Sequence, residues 1–311
     1  MHIPYRALSA VCALALAVAC AYALIGTRLS YAQDAQFGHG QPEPPMAGVV
    51  WEKGHSGAAK PGGGGGSPDL SWHGGPIMPA ATVTAIFWGS SWSNSAFVGD
   101  KISGLGQFYT DMSGSGYAGT SDEYTAGNGQ VGSTITYAGH TLDLSAGPTH
   151  APRTSAILGE VCKVFPNPTP GGYYAVYTDL PRGHAGYCAW HSAGSCPNGT
   201  TIEFAFFFNL DGDPGCDPQD TATTHSQGLA ALANVSGHEL SEARTDPLLN
   251  AWYDSGGAEN ADKCAWAFDH AAVTFKKGSS WKVQGNWSNN AYDTSSGYPN
   301  NSGQLGCLDG G

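Results

Sequence analysis

The chain has 311 residues, with 13 Lys and Arg against 25 Asp and Glu, a formal net charge of −12. Only 12% of residues are charged and 45 are Gly, yet 41% are apolar and 11% aromatic, which supplies a core and excludes a disordered chain. An acidic chain without a Lys or Arg cluster is a poor partner for nucleic acid or an anionic membrane surface.

Met1 to Arg6 is a short basic start, an apolar run follows from Ala7 to Gly26, and Ser30-Tyr31-Ala32 offers small residues where a signal peptidase cuts. Residues 1–32 therefore read as a signal peptide, with a membrane anchor as the competing reading. Without Arg6 and Arg28 the charge moves from −12 to −14. The expected location is extracellular, with no membrane association after cleavage. Of 8 Cys, Cys12 and Cys20 lie in this segment. Cys162, Cys188, Cys196, Cys216, Cys264 and Cys307 remain, which predicts three disulfides in one of about 15 pairings. No C-x-x-C pair suggests a cysteine zinc site.

Residues 33–79 lack periodicity and include Pro61 followed by Gly62 to Gly66, a composition that predicts a disordered extension or pro-segment. A single domain is expected over residues 80–311. Thr82–Trp88 reads as a strand, Asn94–Met112 as a helix weakened by Gly104 and Gly106, and Thr154–Phe165 as a short helix. Tyr173–Thr178 and Thr201–Leu210 read as strands, the second apolar enough to be central. Ala272–Phe275 and Trp281–Gln284 read as a hairpin. Strands on both sides of a few helices indicate an α/β domain, with α+β as the alternative.

Gln227–Arg244 is the strongest predicted helix, and Pro247 disfavours its continuation. It contains His238-Glu239-Leu240-Ser241-Glu242, an H-E-x-x-E arrangement. At about 100° per residue, Leu229, Leu232, Ala233, Ser236, Leu240 and Ala243 form one stripe, and His238 and Glu242 fall about 180° and 220° from Leu229. The two would thus face a cleft together, with Glu239 at the boundary between the faces.

Ligands at i and i+4 with a Glu after the first are how a zincin-type metallopeptidase is arranged. His238 and Glu242 are accordingly candidate metal ligands and Glu239 the candidate general base. Glu242 stands where His is usual; a carboxylate there makes a bound water less acidic and admits Ca²⁺ or Mn²⁺ as rivals to Zn²⁺. Glu259, sixteen or so residues on, is the expected third ligand, and Asp262 its close rival or an orienting partner. Asp246 is a rival ligand on a par with Asp262, His270 is a weaker one, and Tyr253 is a candidate electrophilic hydroxyl. The competing reading is a surface helix whose carboxylates pair with Arg244.

The acidic run Asn209–Asp217 resembles a calcium loop but lacks its bidentate Glu, so a turn pinned by a Cys216 disulfide is expected. His184, His191 and His225 read as ordinary surface or core histidines. Ser192 and Ser195 lack the context of a serine hydrolase.

Over roughly Ala81 to Cys307 the sequence resembles the EXORDIUM-like family, also called phosphate-induced protein 1. The resemblance rests on ATVTAIFWG, FYTDMSGSG, YAVYTD, GYCAWHS and, above all, GHELSEARTDPLLNAWYD followed by ENADKCAW. It implies an extracellular, disulfide-bearing domain, with an association with growth or the cell wall, and no particular reaction. The resulting expectation is a single zincin-like domain with a mixed sheet and a central metal-site helix, acting on a polypeptide. The alternative is a non-catalytic partner of an extracellular matrix or wall component, with a structural cation or none.

Overall fold

The computed structural model describes residues 43–55 and 67–311, so the expected signal segment lies outside the described residues. Six strands, β1 (Ala47–Trp51), β2 (Ala81–Trp88), β3 (Ile135–Asp143), β4 (Tyr173–Pro181), β5 (Tyr187–Ser195) and β6 (Thr201–Asn209), form one mixed sheet. Its order is β1-β5-β6-β4-β2-β3. β6, β4, β2 and β3 run parallel to one another, whereas β5 is antiparallel to both β6 and β1. The fold is thus mixed α/β with a mixed sheet, as expected.

β2, β4 and β6 are buried along most of their length, which requires cover on both faces. Alternation along the strands assigns the two faces. On one face Tyr177 meets the Tyr109 hydroxyl of helix α1 (Lys101–Met112) and the Ser236 hydroxyl of helix α3 (Gln227–Thr245), each at 2.7 Å. On the other face helix α2 (Thr154–Val164) lies over β5, where a Cβ on Gly194 would meet Leu158 Cδ2 at 2.6 Å. His191 lies at odd spacing from Gly194 and therefore shares the face that carries α3.

α3 begins at Ser226, whose hydroxyl accepts from the N–H of Leu229 at 3.2 Å, and ends at Asp246 ahead of Pro247. It is not half-exposed as the periodicity suggested. Every residue from Gly228 to Thr245 is buried, because the sheet, α1 and the segments after residue 250 close around it. Gly237 permits part of that closure: a Cβ there would come within 2.8 Å of the Tyr117 hydroxyl.

Among the described residues three disulfides are present, Cys162–Cys196, Cys188–Cys216 and Cys264–Cys307, each worth roughly 3–4 kcal/mol by loop-closure entropy. The second pins the loop after β6, as the turn reading required. Three expectations need correction. The predicted helix Asn94–Met112 is broken, because Gly99 turns left-handed (φ 52) after the short helix Ser95–Val98 and α1 begins only at Lys101. β3 and β5 carried no clear sequence signal. β3 is a bulged edge strand with Gly139 at φ 107, which interrupts its alternation.

The third correction concerns residues 33–79, which are not uniformly without a core. Ala47–Trp51 joins the sheet, Ser71–Trp72 pairs with Trp252–Tyr253, and Val50, Leu70, Ile77 and Met78 are buried. Isolated apolar residues gain burial from a preformed sheet edge without any periodic pattern of their own. Residues 56–66 lie outside the described residues. No helix among the described residues is long and apolar enough to cross a membrane.

Candidate metal centre

Three elements converge on the middle of α3. The helix supplies His238, Glu239 and Glu242, all 0% exposed. β5 supplies His191 from the overlying sheet face. The turn Glu259–Cys264 supplies Glu259 and Asp262 and is anchored by the Cys264–Cys307 disulfide and by the N–H of Trp287 donating to the Asn260 carbonyl at 2.8 Å. The preceding loop is held by Lys263, whose Nζ lies 2.9 Å from Asp254 Oδ2.

Glu242 sits between two imidazoles. Its Oε1 is 3.1 Å from His238 Nε2 and its Oε2 is 3.7 Å from His191 Nε2. The Asp262 N–H donates to Glu242 Oε1 at 2.9 Å, and Asp262 Oδ1 lies 3.6 Å from His238 Nε2. His191 Nε2 is 3.1 Å from Glu259 Oε2, and the Glu259 N–H donates to Asp262 Oδ2 at 3.2 Å. Two sets of donor atoms therefore lie mutually within 4.8 Å: His238, Glu242 and Asp262, and His191, Glu239 and Glu242.

Gln284 sets the rotation of His238. Its Oε1 accepts from the Trp266 N–H, its Nε2 donates to the Ala261 carbonyl, and Nε2 also lies 2.7 Å from His238 Nδ1. With Nδ1 accepting, a neutral ring keeps its proton on Nε2, opposite Glu242. A cation at Nε2 requires the amide to present its oxygen to a protonated Nδ1 instead. Asn234, one helical turn before His238, holds the backbone of Gln284 by accepting from its N–H at 2.8 Å.

The cluster is short of positive charge. Burial, then the Glu242, Asp262 and Glu259 carboxylates, push the Glu239 carboxyl well above its ordinary range. Burial and then Asp262 raise Glu242 to about 7, and burial and then Asp246 hold Glu259 well up. Burial lowers His191. Burial alone would lower His238 too, but Glu242 and Asp262 outweigh it and hold the imidazole at about 10. Buried carboxylates whose ionised forms are this disfavoured demand either protons or a cation.

Among the described residues, both Glu239 oxygens, Glu242 Oε2 and His191 Nδ1 are buried without a hydrogen-bond partner, and His238 Nε2 has only the Glu242 and Asp262 carboxylates beside it. One imidazole with carboxylate oxygens is a donor set that suits Zn²⁺ or Mn²⁺ better than Ca²⁺, which prefers oxygen alone. The residues fit a divalent cation.

Of the residues singled out from sequence, His238, Glu239, Glu242, Glu259 and Asp262 come together. Glu259 and Asp262 exchange their expected places: Asp262 faces His238, and Glu259 pairs with His191. Asp246 is occupied differently, its Oδ1 accepting from the N–H groups of Asn250 and Ala251. His270 pairs with Asp309 at 3.0 Å. Tyr253 is engaged elsewhere, its ring stacked on His73 with centroids 3.6 Å apart.

The competing Arg244 pairing is absent, since Arg244 Nη2 donates to the carbonyls of Ala118 and Gly132. His191, read as an ordinary histidine, is a member of the cluster. The signal for it is a polar residue directly after the apolar run Cys188-Ala189-Trp190, which carries no clear strand pattern. Compared with family profiles, curated proteins and solved structures, the chain finds no match in any of the three.

Proposed function

We propose that this chain is a secreted, metal-dependent peptide hydrolase of zincin-like organisation, with His238, Glu242 and Asp262 holding a Zn²⁺ and Glu239 acting as general base. The observation that carries the reading is Glu239: a fully buried carboxylate with both oxygens unpartnered, one residue after a candidate ligand and within the same cluster as a second imidazole. The H-E-x-x-E spacing and the EXORDIUM-like resemblance are consistent with an exported protein of this kind.

A bound Zn²⁺ supplies Lewis acidity toward a water and a substrate carbonyl. The chain's own residues do the rest. Glu239 accepts a proton from the attacking water as the oxygen bonds to the carbonyl carbon, and returns it to the nitrogen as the C–N bond breaks. Glu259 orients His191, and Gln284 orients His238. Asp262 is tied to Glu242 through its own N–H, so the helix and the turn hold the ligands as one unit.

Elemental analysis of the purified mature protein tests the metal, with about one equivalent of zinc expected. A Glu239→Gln protein tests the base: it should keep its cation and lose hydrolysis. The burial of the whole cluster favours a second reading, a structural cation in a non-catalytic extracellular protein. Under that reading Glu239→Gln behaves as wild type in every assay of biological activity.

A further inference from the structure

β1 is an unusual member of the sheet. It has five residues, its pairing with β5 shifts register twice between Ala47 and Trp51, and only every second residue is buried. It also lies directly over the candidate metal centre. Gly48 sits at φ 51, and a Cβ added there would come within 2.1 Å of both Glu242 Oε2 and His191 Cδ2. No side chain fits at that position.

Three elements surround β1. β5 is one wall, with Ala47 opposite His191, Val50 opposite Ala189 and Trp51 opposite Tyr187. The far wall is the segment after Asp262, where Trp266 Nε1 donates to the Trp51 carbonyl at 2.7 Å. α3 is the floor. The residues flanking the strand on either side are held through their main chain. The Ser192 hydroxyl donates to the Pro45 carbonyl at 2.6 Å, the Glu52 N–H donates to the Gly186 carbonyl at 3.0 Å, and the Lys53 N–H donates to the Gly215 carbonyl at 2.9 Å. A wall that reads backbone through strand addition accepts extended polypeptide in general. The sequence between this strand and the rest of the domain, residues 56–66, is rich in glycine.

We propose that Pro44–Trp51 is an internal occupant of a polypeptide-binding groove. The groove's ligand is an extended peptide that adds antiparallel to β5 and presents glycine at closest approach to Glu242 and His191. While β1 holds the groove, the centre is closed to other peptides. The identity of the ligand as a substrate rests on the hydrolase reading; the groove and its occupant do not.

The test uses the full chain with a site for a sequence-specific protease written into residues 56–66. After the cut, a labelled synthetic peptide of residues 43–55 is expected to exchange into the folded protein. The same peptide with Gly48→Val should compete at least 10-fold more weakly, because its side chain meets Glu242 and His191. Hydrolysis of a mixed peptide substrate by the zinc-loaded protein should rise at least 10-fold once the native segment leaves. Failure of the labelled peptide to enter, equal competition by the Gly48→Val peptide, or collapse of the fold on cutting would overturn the proposal.

Hydrogen exchange on the uncut chain provides a second check. Gly48→Val should release the β5 amides that face β1 by 10-fold or more while β2, β4 and β6 stay protected. Unchanged protection, or loss across the whole sheet, would equally overturn it. Glycine-dependent exchange without any hydrolysis supports the groove and rejects the peptidase.

Discussion

The loop Asp211–Asp217 and the cluster around His238 are both acidic, and the chain neutralises only one of them. In the loop, Asp213 receives a two-pronged contact from Arg182 and the N–H groups of Gly215 and Cys216, and Asp211 pairs with Lys101. The Cys188–Cys216 bridge fixes the turn. In the cluster four carboxylates, Glu239, Glu242, Glu259 and Asp262, share two imidazoles, and neither Glu239 oxygen has a hydrogen-bond partner among the described residues. Acidic composition alone leaves no carboxylate in need of a partner; burial beyond what the chain can neutralise does. Glu203 is a third case, 2% exposed and single, where burial and then Asp246 push the carboxyl up to about 9, and a proton takes the place of a cation.

The largest effect should come from Glu239→Gln. It should cut peptide hydrolysis by about 10²–10⁴-fold, roughly 3–5 kcal/mol of barrier, with cation content unchanged by elemental analysis. Unaltered turnover would remove the cluster from the chemistry. Next is removal of the cation. With free metal a thousandfold above its dissociation constant, chelation should cost about 4 kcal/mol of stability, read as a fall in thermal midpoint. His238→Ala should abolish that response, and Asp213→Ala should leave it intact. A chelator effect lost with Asp213 instead would reverse the comparison.

Glu203 gives a pH-dependent test. Its neutral carboxyl contributes stability that is fully present below the unfolded value near 4.5 and is lost as pH rises toward the folded value of about 9. Glu203→Gln should therefore match wild type in urea denaturation near pH 4.5 and exceed it by up to a few kcal/mol near pH 9. A constant gap across that range would mean Glu203 is ionised in the fold. The smallest effect belongs to the half-exposed pair: Asp211→Asn should cost about 1–2 kcal/mol, because Asp211 is substantially solvent-exposed while the buried Lys101 loses its carboxylate partner.

How much was legible varies with how local each signal is. α3 and β2 could be read because their patterns of apolar residues persist over whole elements. The pair His238 and Glu242 follows from helical geometry alone. β3 was hidden by its bulge at Gly139, and β5 by the mixture of Cys188, His191, Ser192 and Gly194 within nine residues. Missing β5 meant missing His191, since a histidine in an unassigned stretch has no direction. The N-terminal stretch looked coreless because β1 borrows its burial from an edge already formed. The exchange of Glu259 and Asp262 depends on how the disulfide-tied turn is rotated, which no spacing encodes.

The sequence by itself determined that a helix would carry a histidine and a glutamate one turn apart, that six cysteines would be available for bridges, and that the core would be mixed α/β. These are consequences of short-range geometry and composition. Only the tertiary structure decided which carboxylates meet, that His191 joins them, and that a glycine of the N-terminal strand closes over the top. Those contacts join residues tens to hundreds of positions apart. Their electrostatics arise from shared burial, and burial belongs to the packed fold rather than to any stretch of chain.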